Sequence, residues 1–120
     1  MRVLFVDDDP QLLELLEAYA MSLGYDYRTA ISGEKALRLA KVERFDAAVI
    51  DIALGGENGF QTARDLIDLR PDDAPKIVIM SSRDVKAERG RARVAGASAV
   101  IQKPFTQDDL AAALRLALEN

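Results

Sequence analysis

Five short, β-prone apolar runs alternate with five segments of helical length, and this alternation constrains the fold more than any other feature. Strands are predicted at about 2–6, 26–30, 46–51, 76–81 and 99–102, and helices at about 10–23, 33–43, 59–69, 84–95 and 107–118. Such alternation implies βαβ crossovers and a parallel sheet. The expected fold class is α/β, a doubly wound five-stranded parallel sheet with helices on both faces. With 120 residues, 49% of them hydrophobic, a single domain over 1–120 is expected.

Local signals agree with this reading. Asp9-Pro10 supplies an N-cap and a proline at the first helical position. Leu12, Leu16, Tyr19 or Ala20, and Leu23 then recur on one face, and Gly24 stops the helix. Ser32 caps the second helix, with Ala36, Leu37 and Ala40 facing inward; the third carries Phe60, Ala63, Leu66 and Ile67. Thr106 with Asp109 resembles a capping box before the stripe Leu110, Leu114 and Ala117 or Leu118. The fourth helix is the poor one. From Arg83 to Arg93 it holds five basic and two acidic residues around Gly90, with little apolar surface beyond Val85, Ala87, Ala92 and Val94. It reads either as a solvated surface helix or as a weakly anchored, partner-facing one.

Composition removes several chemistries. The formal charge is −4, from 16 basic and 20 acidic residues, which disfavours direct nucleic-acid binding. Without cysteine there are no disulfides, thiolate zinc sites or thiol nucleophiles. Without histidine, imidazole general-base chemistry and a phosphohistidine on this chain are both excluded; a phosphohistidine, if one is involved, belongs to a partner. The longest apolar runs are four or five residues, and Met1-Arg2-Val3-Leu4 enters a strand without a signal-peptide cleavage pattern. The expectation is a cytoplasmic protein with no membrane partner. No DNA-binding or enzymatic output segment is recognised, so output is expected through a separate downstream protein or a fused output domain.

The chemistry gathers where the strands end. Asp7-Asp8-Asp9 follows Val3-Leu4-Phe5-Val6, Asp51 follows Ala47-Ala48-Val49-Ile50, Ser81 follows Ile77-Val78-Ile79-Met80, and Lys103-Pro104 follows Ala99-Val100-Ile101-Gln102. Open parallel sheets bind ligands outside the carboxyl ends of their strands. Mg²⁺ takes hard oxygen ligands, commonly one or two carboxylates with waters and a phosphate oxygen. Asp8 and Asp51 are the expected carboxylate ligands, Asp7 acts directly or through water, and the backbone carbonyl of Ala53 adds an oxygen; Mn²⁺ is the alternative ion. Asp51 is the candidate nucleophile, because carboxylates form acyl-phosphates. Lys103 supplies a compact positive charge and Ser81 a hydroxyl donor for the phosphoryl oxygens.

Val6-Asp7-Asp8, Asp51 with Gly59 eight residues on, Ser81, Ala95-Gly96-Ala97 and Lys103-Pro104-Phe105 together resemble the receiver domain of two-component response regulators. The resemblance covers essentially the whole chain. It implies the flavodoxin-like strand order 2-1-3-4-5 and a cis peptide before Pro104. It also implies that Asp51 accepts a phosphoryl group from a sensor histidine kinase or a histidine phosphotransfer protein in a phosphorelay. Asp7 and Asp8 match the Mg²⁺ pair, Ser81 the switch hydroxyl and Lys103 the conserved-type ammonium. Phosphorylation and dephosphorylation are self-catalysed in such domains, which turn over no outside substrate.

Several residues have plainer readings. Asp9 reads first as a helix cap. Ser81 competes with Ser82, and the family spacing back from Lys103 selects Ser81. Gly59 reads as backbone geometry at the start of the third helix. Three departures stand out: Val100 replaces a common aromatic, Gly55-Gly56 occupies a loop that often carries proline, and Arg83 borders the site, within reach of the attacking water or the phosphoryl group. Two rivals stay open: a receiver-like interaction module that signals without phosphate, and a small-molecule phosphohydrolase. Arg89, Arg91 and Arg93 opposite Asp108 and Asp109 suggest a charge-paired homodimer through the face made by the fourth helix, fifth strand and fifth helix.

Overall fold

The computed structural model describes residues 1–119; the last residue of the expected domain, Asn120, lies outside them. The elements follow in the order β1 (Arg2–Val6), α1 (Pro10–Leu23), β2 (Asp26–Ala30), α2 (Gly33–Val42), β3 (Ala47–Asp51), β4 (Ala53–Leu54), β5 (Glu57–Asn58), α3 (Gly59–Leu69), β6 (Lys76–Ser81), α4 (Val85–Val94), β7 (Ala97–Gln102) and α5 (Gln107–Glu119). The main sheet is parallel throughout, in the order β2-β1-β3-β6-β7. With the hairpin β4–β5 set aside, that is the expected 2-1-3-4-5. No described helix is long and apolar enough to cross a membrane.

Both faces of the sheet are covered, which explains why its strands read as continuous apolar runs. Along β1, Leu4 and Val6 point to one core with Ala36, Ala40, Phe60, Ala63, Leu66 and Ala92 from α2, α3 and α4. Val3 and Phe5 point to the other, with Leu13, Leu16, Ala20, Leu110, Leu114 and Ala117 from α1 and α5. The buried stripe of α1 is Leu13, Leu16 and Ala20; Leu16 and Ala20 are as expected, Leu12 and Tyr19 pack partly buried beside them, and Leu13 is the residue the expected face lacks. On α4, Ala87 and Val94 face solvent and Ala92 is buried; the side chain of Val85, the fourth of the expected set, lies outside the described residues. β2 is an edge strand with alternating exposure, and Arg28 on it pairs with Glu43 at 3.1 Å.

The expected caps are present. Asp9 accepts the Gln11 N–H at 3.0 Å, Ser32 accepts the Lys35 N–H at 3.1 Å, and Thr106 and Asp109 exchange bonds at 2.9 and 3.1 Å. Gly24 ends α1 with φ +83°. The Lys103–Pro104 peptide is cis.

Two features outside the site hold its frame. Gly59 starts α3 with its N–H donating to the Ile52 carbonyl at 2.8 Å, and the Asp51 carbonyl oxygen occupies the space a Cβ would need. Close approach, not chemistry, requires glycine there. Gly59→Ala should lower stability by about 1–3 kcal/mol in urea unfolding, as overpacking does. At the opposite end of the sheet, burial opposes the charge of Asp46, but the Arg2 backbone N–H and the Arg44 guanidinium outweigh it and hold its carboxyl below the usual range. The stabilisation is full above the ordinary carboxylate pKa and is lost as pH falls through the depressed one. Asp46→Asn should be less stable than wild type at pH 7, with the gap closing below about pH 4 in pH-resolved unfolding curves.

Candidate functional site

Sheet register decides which residues meet. Val6 pairs with Ile50 and Asp51 with Met80, so Asp7 and Asp51 leave neighbouring strands side by side. Ser81 pairs with Gln102, one position before Lys103. Asp7, Asp8 and Asp51 each place a carboxylate oxygen within 4.8 Å of the others. Lys103 Nζ lies 2.8 Å from Asp7 Oδ2 and 3.3 Å from Asp51 Oδ2. Residues 96 positions apart in the chain thus share an ion pair.

The carboxylates differ in setting. Asp7 is 1% exposed and Asp51 7%, while Asp8 faces solvent. Asp7 accepts the Asp9 N–H at 2.9 Å, and Asp51 accepts the Ala53 N–H at 3.3 Å. Ser81 is buried at the end of β6 and its hydroxyl accepts the Arg83 N–H at 3.0 Å, whereas Ser82 is exposed. Gly55 and Gly56 have φ of +50° and +94°, and a Cβ at Gly55 would stand 2.9 Å from Asp8 Oδ2. Gly55 therefore gives Asp8 its room.

Burial pushes the Asp51 carboxyl up, Lys103 pulls it down and Asp7 pushes it up again, for a net rise. Burial likewise opposes the charge of Lys103, but Asp7 and Asp51 outweigh it and raise the ammonium above its usual value. Three carboxylates face one ammonium, so surplus negative charge remains. A hard, oxygen-only donor set with surplus negative charge fits a divalent cation such as Mg²⁺.

A cleft of about 420 Å³ opens beside Asp51, lined also by Asn58, Ser81, Arg83, Glu88 and Arg91. Asn58 caps α3 by accepting the Phe60 N–H at 2.9 Å. Glu88 is 3% exposed. Sequence reasoning missed it, and the one signal that bears on it is its position four residues before Ala92, which the structure turns inward. Arg91 lies over the Phe60 ring, 5.1 Å from its centroid, and so belongs to this cleft and not to the face assigned to it with Arg89 and Arg93. Those two, with Val100, Asp109 and Leu116, line a larger concavity of about 780 Å³ between α4 and α5.

The response regulator receiver domain family matches residues 3–115. The heme response regulator HssR of Staphylococcus aureus is 32% identical over 117 residues, which is 98% of this chain and 51% of that protein. The chain thus spans about half the length of the curated relatives it matches. Among solved structures, the receiver domain of a sensor histidine kinase from Pseudomonas aeruginosa, with a magnesium ion coordinated in its active-site cleft, has a TM-score of 0.86 and 25% identity, covering 99% of this chain and 98% of that one. A response regulator from Burkholderia pseudomallei with a phosphorylated aspartic acid, a calcium ion and citrate has a TM-score of 0.84 and 29% identity, covering 94% and 65%. With a family match over nearly its whole length, this chain belongs to the response regulator receiver domains, the signalling domains of two-component systems.

Proposed function

We propose that residues 1–120 form one phospho-acceptor domain in which Asp51 takes a phosphoryl group from the phosphohistidine of a sensor histidine kinase or a histidine phosphotransfer protein. The observation that carries this reading is the Lys103 ammonium held between Asp7 and Asp51. The magnesium ion of the Pseudomonas neighbour and the phosphorylated aspartate of the Burkholderia one support it further.

An Asp51 carboxylate oxygen attacks phosphorus, the phosphorus–nitrogen bond breaks, and the imidazole leaves on the partner. Asp7, Asp8, Asp51 and the Ala53 carbonyl would hold Mg²⁺, with Mn²⁺ as the alternative; when bound, the ion supplies positive charge against the phosphoryl oxygens. Lys103 neutralises a further oxygen. Ser81 turns its hydroxyl from the Arg83 N–H towards the phosphoryl group. Water later attacks the acyl-phosphate and returns Asp51, so phosphorylation and dephosphorylation are both self-catalysed and no outside substrate turns over.

The output surface is the face of α4, β7 and α5, read by a downstream protein or a fused output domain in the cytoplasm. No direct contact with nucleic acid or membrane is part of this reading. Arg89 and Arg93 across the groove from Asp109 support a homodimer through the same face.

Asp51→Asn should abolish labelling by a phosphorylated kinase or phosphotransfer protein, and chelating Mg²⁺ should abolish it in wild type. Failure to label wild type would leave the phosphate-independent interaction module as the better reading, and full labelling of Asp51→Asn would move the acceptor to another residue. Lys103→Ala should slow labelling about a hundredfold or more, the usual cost of removing one transition-state donor.

A further inference from the structure

Among the described residues, Glu88 is the one buried charged side chain outside the phospho-acceptor cluster. It lies on the inward stripe of α4 and lines the same cleft as Asp51 and Ser81. Its Oε2 is buried and has no hydrogen-bond partner among the described residues. Arg83 and Arg91 approach its two oxygens at 3.7 and 3.8 Å, outside hydrogen-bond range. A buried carboxylate held only by such long contacts is poorly compensated, and loss of either partner strands it.

The two arginines are not equivalent. Arg91 is anchored over Phe60. Arg83 is 76% exposed and sits two residues after Ser81, to whose hydroxyl its backbone is bonded. A phosphoryl group adds about two negative charges and presents several acceptor oxygens, to which a guanidinium binds strongly. Two anionic groups in one cleft then compete for one free arginine.

We propose that Glu88 is the resting counter-charge of Arg83: a phosphoryl group on Asp51 captures the arginine, and the stranded carboxylate drives α4 outward until Glu88 reaches water. This inference rests on the phospho-acceptor reading of Asp51. It makes α4 respond through charge, with no need for an aromatic residue at Val100. The weak apolar anchorage of the helix lets a single carboxylate decide its position.

Amide hydrogen exchange across residues 86–94, with Mg²⁺ and with or without beryllium fluoride, tests the idea; ¹⁹F NMR reports loading in each protein. In wild type, loading should speed exchange in α4 about fivefold or more, the ordinary scale of coupling between sites. Glu88→Gln should load but keep α4 slow in both conditions, because no charge is stranded. Arg83→Gln, a change at an exposed position, should load and show fast exchange in both, because Glu88 is stranded from the start. Loading with no α4 response in wild type, or with a wild-type response in both variants, overturns this proposal alone. No loading of wild type overturns the phospho-acceptor reading and this proposal with it.

Discussion

One ammonium against two buried carboxylates organises this molecule. Asp7 and Asp51 leave adjacent strands almost out of water, and burial with the neighbouring Asp7 charge pushes the Asp51 carboxyl up. Lys103, arriving from the far side of β6 on the end of β7, is what makes that pairing tolerable. It does not complete the balance, because Asp8 leaves the cluster with excess negative charge. The rim is thus assembled but unsatisfied, a condition suited to a cation and to a group that carries its own oxygens.

Backbone pairing delivers these groups. The inner strands β1, β3 and β6 are apolar on both faces, so their register is held by two cores at once. A slip of one residue that drew β3 down would carry Asp51 into a core and leave Ile52 at the rim, exchanging every side chain between faces. The precision of the polar cluster is therefore set by leucines, valines and alanines that never touch it. Gly59 and Gly55 do the remaining positioning by absence, one admitting the Asp51 carbonyl and the other the Asp8 carboxylate.

Much of this was legible in the residues. Apolar runs bounded by Asp, Ser and Lys marked the strands and their functional ends together, and Asp9, Ser32, Thr106 and Asp109 marked helix starts through short-range bonds that sequence encodes directly. What escaped depends on longer-range choices. In α1 the adjacent pair Leu12-Leu13 gives two choices for the first inward turn, and only packing against the sheet buries Leu13 the more deeply. β7 begins at Ala97, two residues early, because pairing with β6 extends it through weak strand formers. The hairpin of β4 and β5 is two residues a side, too short for periodicity to register. Glu88 is hidden because α4 has too few apolar residues to announce its rotation.

The open side of β2 has a further consequence. A parallel sheet ends in unpaired backbone groups that invite another chain to add a strand. Here the border strand is five residues long, carries Asp26 and Arg28, and is overhung by the Arg28–Glu43 pair. Strand addition there would require stripping those charges of water. At this edge, another copy cannot template a growing ribbon without first stripping those charges.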